Sequence, residues 1–204
     1  MNLAASETGQ IIGSWTSANI PSGATLQTSI EEMEAGINPS LVSGYYSAQV
    51  QASFKGDLQH VLWRSTDGSL TNLSTCLSGV ASNRMRLIGV HSSLLESNYP
   101  SSVRVNNLGG SPTTVTLGIY NALDNSKLGS YVTNSISAGG EAIIPISNIE
   151  VASGISPTSP SNAFADIYHY IIRAETPFQG FMQHLLLNVA SNVITDLTSS
   201  CSLN

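Results

Sequence analysis

Alternation of apolar and polar residues with a period of two is the clearest pattern along the chain. Thr113–Tyr120 shows it best and is rich in β-branched residues, and Ser102–Asn107 shows it just upstream. Such alternation is typical of a β-strand with one buried face. The two segments are joined by Leu108–Pro112, which carries the Gly and Pro residues of a turn. We therefore predict that these two strands form a hairpin.

Similar patterns predict further strands in both halves of the chain. They cover Gly9–Trp15, Ala24–Ser29, Tyr45–Phe54, Leu58–Arg64, Ser69–Ser74, Arg86–Val90, Lys127–Thr133, Glu141–Ile146, Phe164–Ala174, Phe181–Leu187 and Val193–Ser199. The strands that end at Ala174 and begin at Phe181 are predicted to meet across Glu175–Pro177. One short helix is predicted over Ile146–Ala152, with Gly154 as its stop. Turn signals recur roughly every 8–12 residues, which favours an all-β fold of antiparallel β-sandwiches.

A nine-residue motif, F-x-G-x-x-Q-H-[VL]-L, occurs twice, at Phe54–Leu62 and at Phe178–Leu186, with an offset of 124. Upstream of it, Gly13–Thr16 matches Gly129–Val132 at an offset of 116, so the second copy contains small insertions. Such self-similarity indicates a tandem repeat. The structural residues that we predict for the motif are Phe54, Gly56, Gln59 and His60 in the first copy, and Phe178, Gly180, Gln183 and His184 in the second.

The motif divides the chain into a first repeat, residues 1–80, and a second repeat, residues 81–204. Ala81–Asp124 has no counterpart in the first copy. We therefore predict that the first repeat is a β-sandwich without its opening strands. Either the sequence begins inside a longer array of repeats, or the missing strands come from elsewhere, for example by strand exchange with another chain.

Composition narrows the range of functions. Charged residues make up only 10% of the chain, hydrophobic residues 41%, and the net charge is −6. Nucleic acid binding needs clusters of Lys and Arg, so this composition argues against a nucleic acid partner. No apolar run approaches the ~20 residues that span a bilayer, and Met1–Ala5 lacks the features of a signal peptide. A location outside the cell or on its surface would require a signal upstream of this sequence.

The repeated Gln-His pairs are the most tempting candidates for chemistry. Histidine can ligate a metal or act as a base, whereas a structural pair would hydrogen-bond the backbone at a sheet edge or interface. Adjacent side chains on a strand face opposite ways, so one member of a pair can be buried while the other is exposed. Because catalytic groups rarely occur in duplicate within one chain, we favour the structural role.

The other residues indicate no reaction. The chain has no G-x-S-x-G elbow, its aspartates form no calcium loop, and its glycine pairs open no phosphate-binding helix. We therefore predict no catalytic residue, no metal and no cofactor. Trp63, Tyr45 and Tyr46 are the candidates for binding sugar rings. Cys76 and Cys201 end the two repeats and can form an intramolecular disulfide, a bridge to a neighbouring chain, or two free thiols.

Val103–Gly110, Thr113–Tyr120 and the turn Ser137–Gly140 resemble the immunoglobulin-like modules of bacterial surface and secreted proteins. The repeated motif, Val90–Leu94 and the terminal cysteine are similar to tandem repeats of uncharacterised bacterial secreted proteins. The resemblance implies an architecture, two Ig-like β-sandwich modules, more than an activity. With the incomplete first repeat, it favours a structural, self-associating extracellular protein such as a filament, adhesin stalk or surface-layer component. The alternative is an accessory module that binds carbohydrate or protein.

Overall fold

The computed structural model describes residues 1–37, 45–50, 58–64, 66, 70–73, 85–158 and 168–198. These ranges are mostly β, and their strand pairs are antiparallel, as predicted. The strands are β1 (Asn2–Ala5), β2 (Ile11–Ser14), β3 (Tyr46–Gln49), β4 (Val61–Trp63), β5 (Leu70–Asn72), β6 (Arg86–His91), β7 (Ser101–Asn107), β8 (Thr116–Asn121), β9 (Lys127–Val132), β10 (Glu141–Pro145), β11 (His169–Ala174), β12 (Gly180–Asn188) and β13 (Val193–Asp196). The helices are α1 (Ile30–Ile37) and α2 (Ile146–Ser153), and a 3-10 turn covers Ser93–Leu95.

The second repeat contains two four-stranded sheets and a buried core. One sheet has the strand order β10-β7-β12-β13, and the other has the order β6-β11-β8-β9. A single cluster of buried side chains draws on both sheets and on α2, for example Val103 and Val105 of β7, Ile119 of β8 and Ile149 of α2. Inward residues alternate with outward ones along β7 and β11, as expected for strands that bury one face. Gly154 ends α2 in the left-handed conformation, as the sequence predicted.

Two predictions for the second repeat are wrong: the hairpin joined by Leu108–Pro112, and the pair of strands that meet across Glu175–Pro177. β7 and β8 lie in different sheets, and so do β11 and β12. The loop after β7 crosses between the sheets and is held by Asn107, whose Nδ2 lies 2.9–3.1 Å from the backbone oxygens of Ser111, Ile136 and Ser137. Period-two alternation shows that a segment is a strand with one buried face, but it does not show which strand is its neighbour.

Strand pairing in the first repeat reproduces that of the second. β1 pairs with β2 and β3, just as β8 pairs with β9 and β11. In β1, Leu3 lies opposite Gly13. In β8, Ile119 lies opposite Gly129, and a register irregularity follows directly in both strands. Residues that are 116 positions apart in the sequence therefore occupy equivalent positions in the strand pairing of the two repeats.

The hairpins β4–β5 and β12–β13 also correspond to each other, at the offset of 124. In β4–β5, Val61 lies opposite Asn72. In β12–β13, Leu185 lies opposite Asp196, which is the same register shifted by 124. The turn after β1 also matches its counterpart, because Gly9 (φ 68°) and Asn125 (φ 63°) both take the left-handed conformation at the same place.

One predicted strand of the first repeat is absent from the structure. Residues 24–29 have no regular structure, although their counterpart in the second repeat is β10. β10 pairs only with β7, and β7 has no counterpart among the described residues of the first repeat. A strand needs a partner for its backbone groups, so Ala24–Ser29 keeps a strand-like sequence without forming a strand. This prediction is wrong for that physical reason.

Candidate functional site

Strands β6 and β7, within residues 86–107, distinguish the two repeats, and they lie in different sheets. In the second repeat β6 pairs with β11 at a sheet edge, and β7 lies between β10 and β12. The described part of the first repeat has no strand in either place. We call the places in the first repeat that correspond to those of β6 and β7, beside β3 and β4 respectively, the open site.

The backbone of β4 presents an unpaired edge to the open site. Within the described residues, β4 pairs only with β5, and the His60 carbonyl accepts from Leu73 N–H on that side at 2.9 Å. Hydrogen-bonding direction alternates along a strand, so the backbone groups of Gln59, Val61 and Trp63 face the other edge. In the second repeat the same edge of β12 is occupied by β7.

The side chains that border the open site are exposed, whereas their counterparts are buried. Ile30 of α1 is 46% exposed, and its counterpart Ile146 is 2% exposed. Leu58 is 48% exposed, and its counterpart Met182 is 3% exposed. None of the residues of α1 is buried, although α1 and α2 occupy equivalent places in the two repeats. The first repeat therefore has the apolar residues of a core, but its described residues include no strands that cover them.

A glutamate on each helix contacts a tyrosine on the neighbouring sheet. In the second repeat Glu150 Oε1 accepts from Tyr170 Oη at 2.7 Å and from Ser93 N–H, in the 3-10 turn between β6 and β7, at 3.0 Å. In the first repeat the counterparts are Glu34 and Tyr46. Desolvation, then the charge of Glu34 and a hydrogen bond to it, raise the pKa of Tyr46. Sequence reasoning missed this contact, although the offset of 124 aligns Tyr46 with Tyr170.

His184 lies at the centre of the second repeat and is fully buried. Its Nε2 is 3.1 Å from Ser101 Oγ in β7, and its ring centroid is 6.2 Å from that of His91 in β6. Desolvation, followed by the neighbouring His91, lowers the pKa of His184 to about 4, so the imidazole is neutral at neutral pH. Because Ser101 is buried as well, this contact connects β7 to β12 and is not accessible to a substrate.

Gln183 is buried on the other face of β12, against the first repeat. Arg104 Nη1 donates to its Oε1 at 3.2 Å. Gln183 Nε2 lies 2.9 Å from a carboxylate oxygen of Asp196 and 3.1 Å from the carbonyl oxygen of Leu73. The residues just after β5 therefore cover the face on which Gln183 lies. Both members of the second Gln-His pair are therefore buried, His184 in the core and Gln183 at this contact.

In the first repeat both members of the pair, Gln59 and His60, are exposed. Partial desolvation and the nearby Arg104 lower the pKa of His60. The two pairs thus occupy the same place in the strand pairing but differ in their surroundings. The difference follows from β7, which contacts Gln183 and His184 through Arg104 and Ser101.

The repeats contact each other at a second place, around the turn between β1 and β2. Glu141 N–H donates to the carbonyl of Ser6 at 2.6 Å. A Cβ atom on Gly9 would overlap the carbonyl oxygen of Ala138, so this position requires glycine for lack of space. The two repeats are therefore in direct contact at two places, the face of β12 that carries Gln183 and the start of β10.

The remaining motif residues of the second repeat serve packing. Phe178 is buried, and a Cβ atom on Gly180 would overlap the carbonyl oxygen of Asn106 in β7. Gly180 therefore lets β12 approach β7 closely. Phe54 and Gly56 lie outside the described residues, and so do Cys76 and Cys201.

The three aromatic candidates for ligand binding are in different environments. Tyr45 and Trp63 are exposed, while Tyr46 is partly buried next to Glu34. Trp63 borders a cavity of about 120 Å³ between the β4–β5 and β12–β13 hairpins, together with Arg64, Asn192 and Val193. Sites for small molecules usually measure about 300–1,000 Å³, so the size of this cavity does not itself favour a ligand.

Within the described ranges, no group of three or more His, Cys, Asp or Glu side chains could hold a metal ion. The helices of those ranges are too short and too polar to cross a bilayer. The feature that separates the two repeats is thus the open site. Comparisons with protein-family models, with curated proteins and with solved structures give no match to this chain.

Proposed function

We propose that this protein is a non-catalytic structural module that self-associates by strand addition at the open site. The observation that carries the proposal is the difference between equivalent strands, because β12 is paired on both edges and β4, within the described residues, on only one. An exposed strand edge presents unpaired N–H and C=O groups and favours pairing with another chain. The exposed Ile30 and Leu58 add apolar surface beside that edge.

In this proposal each repeat is an Ig-like β-sandwich, complete in residues 81–204 and incomplete in residues 1–80. The mixed origin of the core cluster supports it, because side chains from both four-stranded sheets contact one another. A filament, adhesin stalk or surface layer outside the cell is the kind of assembly that such a module would build. The low content of charged residues, 10%, is compatible with close contact between many copies.

The proposal is tested with a proline at Val61. The N–H of Val61 faces the open site and not β5, so proline there removes a donor from the edge while leaving the β4–β5 hydrogen bonds intact. Val61→Thr is the matched control, because it keeps the N–H and a β-branched side chain. We expect wild type and Val61→Thr to form oligomers as the protein concentration is raised, and Val61→Pro to associate about tenfold or more weakly, for a loss of roughly 1.4 kcal/mol.

Sedimentation over a wide range of protein concentrations measures this difference, and circular dichroism checks that the fold is kept. A wild-type protein that stays monomeric at every concentration would contradict the proposal. Equal association of the proline and threonine variants would also contradict it, because the contact would then lie elsewhere.

A further inference from the structure

Three of the four histidines of the chain lie together in the second repeat, although they are far apart in sequence. His91 at the end of β6 lies directly opposite His169 at the start of β11, and their ring centroids are 5.0 Å apart. His184 of β12 belongs to the other sheet, and its ring centroid is 6.2 Å from that of His91. Rings at such separations are in contact. We call these three side chains the histidine cluster, and it joins the two four-stranded sheets.

Two ring nitrogens of the histidine cluster have no hydrogen-bond partner in the part of the chain that the structure describes. They are Nδ1 of His91 and Nδ1 of His184, and both atoms are buried. Nε2 of His184 lies 3.1 Å from Ser101 Oγ. A neutral imidazole has one N–H donor, whereas an imidazolium has two. A proton taken up by His184 would therefore place an unpaired, charged donor in the core.

The surroundings of the cluster disfavour such a charge. Val90, which precedes His91, and Val103, which lies opposite His184, are both fully buried. An ionised group next to apolar side chains loses its hydration and gains no partner in return. Desolvation is accordingly the main cause that lowers the pKa of each of the three histidines, and charges within the cluster lower those of His91 and His184 further.

Nearby carboxylates offset this effect only in part. On β13, Asp196 favours the charged form of His184, but its carboxylate already accepts from Gln183 Nε2. On α2, the carboxylate of Glu150 accepts from Tyr170 Oη. The other ionisable groups on the adjoining elements are Tyr99, whose ring contacts His91, Tyr168, whose ring contacts His169, Glu96, which accepts from Ser147, and Arg104, which pairs with Glu141.

We propose that the histidine cluster is a pH-sensitive switch, which holds the two sheets of the second repeat together while it is neutral and releases the end of β6 and the start of β11 when it takes up protons. This inference is independent of the open site and of self-association. Charges 5.0–6.2 Å apart repel one another, so the closed cluster holds fewer protons than three separated histidines. Release therefore takes up more than one proton.

The direction of the pH dependence follows from His184, the member that is fully buried. In the closed state its pKa is about 4, whereas an accessible histidine has a pKa near 6.5. The closed state is therefore fully stable above about pH 6.5 and loses stability as the pH falls toward 4. At pH 5, His184 alone multiplies the ratio of released to closed molecules by about thirty, and His91 and His169 add to this factor.

Amide hydrogen exchange in the full chain, measured by NMR between pH 7 and pH 5 and corrected for the intrinsic exchange rate, tests the switch. Ser92 and Ala122 donate their N–H groups to carbonyl oxygens at the start of β11. Ala174 and Glu175 donate across the same two strand pairs at the end of β11, and they are the matched controls. We expect the protection of Ser92 and Ala122 to fall about thirtyfold or more, and to be at least about tenfold below that of the controls at pH 5.

The same data give the number of protons taken up, which is the slope of the logarithm of the opening constant against pH. We expect a slope of about two in the wild type. The double variant His91→Gln, His169→Gln leaves His184 as the cluster's titrating group, and its expected slope is about one. Both replaced residues are half-buried. The wild-type slope decides by itself if the double variant does not fold.

Three results would overturn the inference. A wild-type slope of about one or less would mean that the histidines do not act together. An unchanged slope in the double variant would place the protons outside the histidine cluster. Equal protection at both ends of β11 at pH 5 would show that the histidines become accessible only when the whole repeat unfolds.

Discussion

Replacing Ile146 with alanine is expected to lower the free energy of unfolding by about 2–5 kcal/mol, whereas Ile30→Ala is expected to lower it by less than about 0.5 kcal/mol. The two isoleucines begin equivalent helices, but Ile146 is 2% exposed in the core and Ile30 is 46% exposed. Truncation in a packed core leaves a cavity, and truncation at an exposed position does not. The contrast comes from the strands that cover α2, because the described residues of the first repeat include no corresponding strands over α1.

Chemical denaturation followed by far-ultraviolet circular dichroism measures this contrast. Both tryptophans, Trp15 and Trp63, belong to the first repeat, so their fluorescence follows that repeat separately. Similar losses of stability for the two alanine variants would show that Ile30 is buried in solution. That result would contradict the description of the first repeat as a module whose core is uncovered.

Acid is expected to destabilise the second repeat through His184. The folded state holds the pKa of His184 at about 4, below the ordinary value near 6.5. Between these values the unfolded chain binds a proton that the folded chain does not, so stability is complete above about pH 6.5 and falls as the pH is lowered toward 4. The shift corresponds to a loss of roughly 3 kcal/mol.

The pKa values of the histidines next to His184 are lowered as well. Desolvation lowers the pKa of both His91 and His169, and the charge of His169 lowers that of His91 further. Only Asp196 opposes the shift at His184 by favouring its charged form. The three imidazoles lie close together, so protonating one disfavours protonating the others.

Unfolding measured at pH 7 and at pH 4.5 tests this expectation, with His184→Gln as the variant that cannot titrate. The variant is expected to be less stable than wild type at pH 7 and to lose clearly less stability on acidification. His60→Gln is the matched control from the first repeat, and it is expected to leave most of the acid sensitivity in place. An unchanged pH dependence in His184→Gln would contradict the role assigned to His184.

Much of the local structure was predictable from the sequence because it depends on neighbouring residues. The alternation over Thr113–Tyr120 predicted a strand where β8 lies, and Ile146–Ala152 with Gly154 predicted α2 and its end. The two offsets, 116 and 124, anticipated the strand registers. These features follow from side-chain period and turn chemistry, which a single sequence displays directly.

Sheet neighbours and burial were not predictable in the same way. Ala24–Ser29 has the sequence of a strand but lacks a partner, and β7 pairs with β10 and β12 instead of β8. His60 and His184 lie in identical motifs, yet one is exposed and the other fully buried. Both outcomes depend on residues that are distant in sequence. Period-two alternation does not show which distant strand pairs with a given strand.

The sequence predicted that strands are missing from the first repeat, but it did not predict the location of the open site. The prediction that all of Ala81–Asp124 lacks a counterpart is wrong, because β8 within that range corresponds to β1. The range did indicate missing strands, but the sequence did not show which edges they would leave. The alignment of Glu34 with Glu150 was visible, while its meaning depended on Ser93 and Tyr170, which are brought together only by folding.

Amide hydrogen exchange along β4 and β12 in the monomeric protein tests the central claim most directly. Leu187 donates its N–H to Pro100, Leu185 faces the same edge, and Leu186 faces β13. We expect all three amides to be protected, whereas in β4 only Leu62 is protected and Val61 and Trp63 exchange at least about a hundredfold faster than their counterparts. Equal protection of Val61, Leu62 and Trp63 in the monomer would mean that the edge of β4 is already paired, and would contradict the account.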